Sequence, residues 1–470
     1  MNITDIDDIY KSEEYRNRIS SVKEDGSRNW IYALKPNGKF YNYRTLLVIF
    51  YLIFFFSIPF IKVNGMPFVL FNVIDGKFIL FSKIFWPEDF HIFAVAMIAF
   101  IIFIALFTVI YGRLFCGWIC PQTVFLEFVF RPIEWWIEGN PAQQKLLNKG
   151  PWNFNKIWRK SLKHFIYLII AFAIANTFLA YIISMDELKK IIHEPISEHN
   201  GLFIGLIGFS LVFYAVFAYV REIVCTTICP YGRLQGALYD KDTMLVAYDY
   251  KRGEQRGKFK KNQERAIGDC IDCHQCVNVC PTGIDIRNGT QLDCVGCTAC
   301  IDACDFMMEK VGLPKGLIRY ASENNIAEGK KFTFTPKIKA YSILLIILTI
   351  VLVVLMITRS DLDSHISRVA GQLYQELPDK KISNLYNIKI INKTNNSFPV
   401  TLKLEGINGE IKIIGNPVVK LKAESVNTNT FFIIIDKKNI HETSTKIKVG
   451  VYKNGEKIQT IKTNFQGPFI

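Results

Sequence analysis

No cysteine follows Cys304 in this chain of 470 residues, although twelve precede or include it. The C-terminal region therefore offers no disulfide framework to an oxidising compartment. Histidine is scarce, seven in all, and badly placed for membrane haem. His91 is expected at the exterior end of its apolar run and His164 at the interior end of its own, so no two share a depth as axial ligands would. His274, inside a cysteine motif, is expected to pack or to tune rather than to ligate. There is no dinucleotide fingerprint and no phosphate loop, which removes the obvious pyridine-nucleotide and flavin sites. Acidic residues are outnumbered, 42 Asp+Glu against 56 Lys+Arg, for a formal charge of +14. The first forty or so residues lack an apolar run, which excludes a cleavable signal peptide.

Half of the chain is hydrophobic, and that half is concentrated. Five stretches approach the twenty or so residues that a bilayer demands: Tyr43–Phe60, His91–Tyr111, Leu162–Ile183, Leu202–Val220 and Ala340–Ile357. Lys+Arg alternate across the segments between them: seven in 1–43, three in 62–90, seven in 112–161, two in 183–200 and sixteen in 222–337. The positive-inside rule then predicts a cytoplasmic N-terminus, residues 222–337 in the cytoplasm and 359–470 outside. Because the basic charge flanks the membrane, topology and anionic lipid account for it, and no nucleic acid is expected as a partner. Residues 122–138 mix Phe125, Phe128, Val129 and Trp136 with Glu127, Arg131 and Glu134, which predicts an interfacial helix.

Eight of the cysteines form two copies of one pattern. Cys270, Cys273, Cys276 and Cys280 are followed by Pro281, and Cys294, Cys297, Cys300 and Cys304 repeat the spacing. The doubled Cys-x2-Cys-x2-Cys-x3-Cys run is that of a ferredoxin with two [4Fe–4S] clusters, in which the fourth thiolate of each run crosses to the other cube. Cys270, Cys273, Cys276 and Cys304 are expected to hold one, and Cys294, Cys297, Cys300 and Cys280 the other. Asp305 stands where a second Pro would be usual. A zinc ribbon needs only paired Cys-x2-Cys hooks and leaves half of this pattern unexplained. Such clusters move electrons one at a time.

The other four cysteines are paired too. Cys116-Gly-Trp-Ile-Cys120-Pro121 follows the second apolar stretch and Cys225-Thr-Thr-Ile-Cys229-Pro230 the fourth, a weak internal repeat that brings four thiols to one membrane face. Pro disfavours helix in the residue before it, so Cys120 and Cys229 should end one helix while Pro121 and Pro230 open the next. Thiols near a helix start, with Arg113 or Arg221 close in sequence, are expected to have lowered pKa values. Paired soft thiolates favour Cu(I), zinc or iron–sulfur, and the bland alternative is two pairs of buried helix-end cysteines.

The tail reads as β structure: Asn387–Asn392, Val400–Glu405, Glu410–Ile414, Val418–Ala423, Thr430–Ile435, Thr445–Tyr452 and Lys457–Thr463, parted by turn signals at Asn408-Gly409, Gly415-Asn416 and Asn454-Gly455. Seven short strands predict an immunoglobulin-like sandwich. The expected fold is thus a polytopic α-helical membrane protein with a cytoplasmic two-cluster ferredoxin module and a C-terminal all-β domain. Its parts are a cytoplasmic tail (1–42), a four-helix transmembrane region with both Cys-x3-Cys-Pro motifs (43–230), the ferredoxin-like domain (231–337), a fifth transmembrane helix (338–360) and a periplasmic immunoglobulin-like domain (361–470).

Taken together, these motifs resemble the FixG/CcoG family of cytochrome c oxidase accessory proteins. The resemblance rests on Trp30-Ile-Tyr-Ala-Leu-Lys-Pro-Asn-Gly-Lys-Phe, Phe85-Trp-Pro-Glu-Asp-Phe-His, Gly112-Arg-Leu-Phe-Cys-Gly-Trp-Ile-Cys-Pro-Gln-Thr, Cys225-Thr-Thr-Ile-Cys-Pro-Tyr-Gly-Arg, the ferredoxin runs, Asn384-Leu-Tyr-Asn-Ile-Lys-Ile-Ile-Asn-Lys-Thr and Phe465-Gln-Gly-Pro. It implies residence in the bacterial inner membrane and a role in maturing cbb-type oxidase, by reduction of Cu(II) to Cu(I). Copper would be substrate or transient ligand, and Cys116, Cys120, Cys225 and Cys229 the catalytic and copper-handling residues. Partners implied are the bilayer, oxidase assembly factors and copper chaperones or transporters; a homodimer is compatible with it. Two rival readings stand beside this one: a quinol-oxidising subunit that passes electrons to a partner, as in NapH/NosR-type proteins, and a non-catalytic assembly scaffold.

Overall fold

The computed structural model describes residues 21–468 apart from 23–24, 74–75, 260–266, 361, 370, 372, 395, 416–418, 424, 441 and 454. Most of the predicted N-terminal tail, and the turns at Asn416 and Asn454, lie outside the described residues. The chain divides into two compact units, one of residues 1–62 and 94–351 and one of 63–93 and 352–470.

Among the described residues six helical stretches are long and apolar enough to cross a membrane: Lys39–Phe60, Pro87–Tyr111, Leu114–Ile137, Phe154–Ile183, Asn200–Val220 and Pro336–Ile357. Five coincide with the predicted spans. The sixth, Leu114–Ile137, covers the predicted interfacial helix, and chain geometry argues against its crossing. Lys62, just after the first span, pairs with Asp186, just after Phe154–Ile183, at 2.5 Å. Residues 63–93 fold into the same unit as 352–470, where Asp89 is ion-paired to Arg359 at 2.8 Å and to Lys393 at 2.5 Å. Both pairings require an even number of crossings between their ends. Five spans meet that condition and six break it.

Leu114–Ile137 differs from the expected interfacial helix in one respect. Its charged residues do not face water. Glu127, Arg131 and Glu134 are buried. Arg131 Nη1 bonds Glu127 Oε2 at 3.1 Å, and Arg221 Nη1 bonds Glu134 Oε1 at 2.5 Å. Lys163 reaches Glu138 at 2.8 Å from the Phe154–Ile183 helix. Sequence pattern alone reads such charges as a wet face, but here each is ion-paired, Glu127 with Arg131 on its own helix and Glu134 and Arg131 with Arg221 and Glu222 from another segment, which is what burial requires. The last span is apolar all round, and its most apolar stretch has no buried residue, as a helix bathed in lipid allows.

The C-terminal domain is a sandwich of two antiparallel sheets. One has the order Gly409–Ile413, Val426–Asp436, Lys381–Asn392, Leu362–Arg368, with Gln375–Leu377 also on Lys381–Asn392; the other runs Val419–Leu421, Phe398–Glu405, Ser444–Lys453, Glu456–Gln466. Tyr386, Ile388, Ile390, Phe431, Ile433, Val449 and Val451 fill the space between them with essentially no exposure. The seven predicted strands are present, several of them longer. Leu362–Arg368 and Gln375–Leu377 were not anticipated. In the former, Ser364 takes an inward position and is satisfied by Gln459, Oγ to Oε1 2.6 Å, so the apolar alternation is broken in the sequence. Residues 62–90 are expected as a loop between two spans. They form a three-stranded antiparallel sheet, Val69–Asn72, Lys77–Leu80 and Lys83–Phe85, around Leu70, Ile79 and Ile84.

Candidate redox and metal centre

The two Cys-x3-Cys-Pro motifs are built alike. The second span ends at Gly112, φ +57°, and the fourth at Arg221, φ +55°, each four residues before its first motif cysteine. The left-handed region costs glycine little and arginine more. Arg221 is held there by burial and by Glu134. Cys120 N donates to Phe115 O at 3.0 Å and Cys229 N to Val224 O at 2.8 Å, the same widened turn in both. Both cysteines are extended, and Pro121 and Pro230 open the next helices, as predicted.

The motifs interlock. Cys116 Sγ donates to Gln235 Oε1 at 3.4 Å, on the helix after the second motif, while Cys225 Sγ lies 4.0 Å from Thr123 Oγ1, on the helix after the first. Cys116 and Cys225 share one apolar cluster with Cys297, Cys300, Val279 and Val295 of the ferredoxin-like region. The sulfurs are nevertheless not drawn into a tight cage. Among the described residues, one group alone brings three ligand atoms within 4.8 Å of one another: Glu194, Glu198 and His199. That group is explained by its own ion pairs, with His199 to Glu194 at 2.5 Å and Lys190 to Glu194 at 3.9 Å. The expected lowering of thiol pKa fails at Cys225, because burial pushes that thiol up to about 12.

The eight ferredoxin cysteines line two cavities. One is bordered by Cys280, Cys294, Cys297 and Cys300. The other is bordered by Cys270, Cys273 and Cys304. Cys276 faces both. The fourth cysteine of each run thus sits at the cavity of the opposite run, so the donor sets fit two cubes with crossed ligands. Tyr239 Oη is buried without a partner beside Cys294, a donor positioned for an acceptor that the protein itself does not supply. Arg287 braces the outer set (Cys270, Cys273, Cys276 and Cys304, as against the inner set of Cys280, Cys294, Cys297 and Cys300) by bonding Asp272, Asp285 and His274 Nδ1, so His274 packs rather than ligates.

Three family profiles match: a 4Fe-4S dicluster domain over residues 220–323, a 4Fe-4S binding domain over 93–140, and the IG-like fold at the C-terminal of FixG over 352–468. Protein RdxB of Cereibacter sphaeroides is 33% identical over 384 residues, 78% of this chain and 80% of that protein. This chain belongs to the FixG family. Protein RdxA of the same organism is 31% identical across 73% of this chain and 74% of its own. Nitrogen fixation protein FixG of Rhizobium meliloti is 32% identical over 64% and 58%. A crystal structure of a FixG-related protein from Vibrio parahaemolyticus matches at 18% identity and a TM-score of 0.21, over 24% of this chain and all of that one. As a FixG family member the chain is a membrane-spanning iron–sulfur electron-transfer protein with an immunoglobulin-like C-terminal domain.

Within this FixG-type arrangement several residues carry weight that the motifs did not announce. A β-carbon on Gly117 would lie 2.6 Å from Val295 O and 2.8 Å from Cys297 N and Cα. The first motif therefore packs backbone to backbone on the loop of the inner cysteine set, a contact that only glycine permits. Arg44, buried in the first span, donates from Nε to Gly117 O at 3.1 Å. Asp302, between Cys300 and Cys304, caps the first span by accepting from Phe40 N at 3.1 Å and Tyr41 N at 2.8 Å. A charged residue inside a cysteine run was the only local sign of that role.

Proposed function

We propose that this protein reduces Cu(II) to Cu(I) for the maturation of a cbb-type cytochrome c oxidase. In this reading Cys270, Cys273, Cys276 and Cys304 hold the outer [4Fe–4S] cluster, and Cys280, Cys294, Cys297 and Cys300 the inner. When bound, these clusters would supply single electrons. Cys116, Cys120, Cys225 and Cys229 present soft sulfur to copper, which favours Cu(I) over Cu(II) and so favours the one-electron reduction. The observation that carries the reading is the contact of Gly117 with Val295 and Cys297, which joins the first thiol motif to the inner cysteine set. The partners would be copper chaperones or transporters and oxidase assembly factors, with the C-terminal domain docking them outside.

The Cys120→Ser/Cys229→Ser double variant is expected to lose copper binding and cupric reductase activity while keeping cluster absorbance. Undiminished reduction of Cu(II) would make these thiols structural and favour the reading as a quinol-oxidising subunit that passes electrons to a partner. Two observations favour a second reading: no three of the four sulfurs close to within 4.8 Å, and a 4Fe-4S binding profile covers Cys116 and Cys120. The four would then hold a third cube. About twelve irons per chain rather than about eight would select it.

The proposed orientation has the N-terminus and ferredoxin in the cytoplasm and residues 352–470 in the periplasm. Reporter fusions at residue 250 and residue 470 should fall in opposite compartments. The same compartment for both would mean that Pro336–Ile357, the one candidate span between them, does not cross.

A further inference from the structure

Arg113 is 4% exposed and stands where three segments meet. Its Nε donates to Gln235 Oε1 at 3.0 Å, Nη2 to Cys225 O at 3.0 Å and Nη1 to Leu292 O in the loop before Cys294. Two glycines make room for it. A β-carbon on Gly232 would fall 2.3 Å from Nη2, and one on Gly296 would fall 3.2 Å from the Arg113 carbonyl carbon and oxygen. All three hydrogen-bond partners are neutral. A buried guanidinium with no carboxylate on its own hydrogen bonds is costly unless negative charge lies near by. Sulfur, which becomes anionic when it ligates iron, surrounds it: Cys116 Sγ bonds the same Gln235 Oε1 at 3.4 Å, and Cys294 lines one cavity with Arg113 and Tyr239.

We propose that Arg113 is the positioning residue of the electron route, holding the inner cysteine set against the membrane-face thiols and stabilising the extra electron at the inner site. The inference rests on the reading that Cys280, Cys294, Cys297 and Cys300 hold a cluster. The sign follows from charge. A reduced cluster is more negative than an oxidised one, so a fixed cation beside it raises its reduction potential, and removing that cation lowers it. Arg113 touches the loop of the inner set and none of the residues bordering the outer cavity, so the effect should be confined to one cluster.

The test is a potentiometric EPR titration of full-length protein purified anaerobically in detergent. In Arg113→Gln the inner cluster should need a lower potential, with at least a tenfold change in its oxidised-to-reduced ratio at fixed potential, which is 59 mV for one electron. The outer cluster should stay where it was. Arg113→Lys keeps the charge but not the fork and should restore most of the shift. If Arg113→Gln fails to fold, Gly232→Ala displaces the guanidinium while leaving it in the chain and should move the same cluster in the same direction. Unmoved potentials, equal movement of both clusters, or a Lys variant indistinguishable from Gln would overturn the proposal. Wild-type protein with about four irons would instead remove the two-cluster reading beneath it, so the two failures are told apart.

Discussion

Gly117→Val should slow Cu(II) reduction without costing the protein its iron. The added side chain would start 2.6 Å from Val295 O and 2.8 Å from the Cys297 backbone. Backbone cannot rotate away as a side chain can, so the motif and the inner cysteine loop must separate. Overpacking of this kind costs about 1–3 kcal/mol, equivalent to roughly 5–150-fold in the population of the packed arrangement. Stopped-flow reduction of Cu(II) by pre-reduced protein is the measurement, with iron and sulfide assayed on the same sample. Gly236→Ala is the control. Its β-carbon would meet only the tip of the Leu292 side chain, at 2.6 Å, which can swing aside. A Gly117→Val protein as fast as wild type would mean that electrons reach copper by another path.

Cys280→Ser should be more severe. By sequence Cys280 closes the first run, yet it borders the cavity shared with Cys294, Cys297 and Cys300. Its loss is therefore expected to remove the inner cube and leave the outer one, taking iron from about eight to about four per chain. Cupric reductase activity should fall to background, because the surviving cube is the one without a contact to Cys116. Cys304→Ser, from the second run, should remove the outer cube instead. EPR of the two variants after dithionite reduction would show complementary halves of the wild-type spectrum. If Cys280→Ser instead abolished the signal of the Cys270 set, the crossed ligation would be wrong.

What could be read beforehand follows a physical divide. Metal-sulfur chemistry fixes both residue type and spacing, so the ferredoxin module and the paired Cys-x3-Cys-Pro motifs were legible outright. Span positions follow from bilayer thickness and were legible for the same reason. Leu114–Ile137 was harder, because its apolar content suits a span while its charges suit an interface, and the pairings of Lys62 with Asp186 and of Asp89 with Arg359, which decide between them, join residues far apart in sequence. The contact of Gly117 with Cys297 joins positions 180 residues apart and leaves no local trace. The likeness of the two motifs was half visible: Gly112 announces its positive φ, whereas Arg221 conceals the same conformation behind a residue that seldom adopts it. Leu362–Arg368 was missed because its inward Ser364 depends on Gln459, a partner supplied from the opposite sheet.

The Asp302 cap joins the helix bearing Cys300 and Cys304 to the first turn of the membrane domain. Arg131 adds a second tie, from Nη2 to Pro281 O at 3.3 Å. The ferredoxin-like region is therefore no shuttle on a tether. Its meeting with the thiols has already happened when the chain folds, and it is not repeated at each turnover. A permanent intramolecular contact has an effective concentration that no freely diffusing carrier can match. Dilution, ionic strength and competing ferredoxins should thus leave the internal transfer untouched and act only on the arrival of the electron donor and of the acceptor.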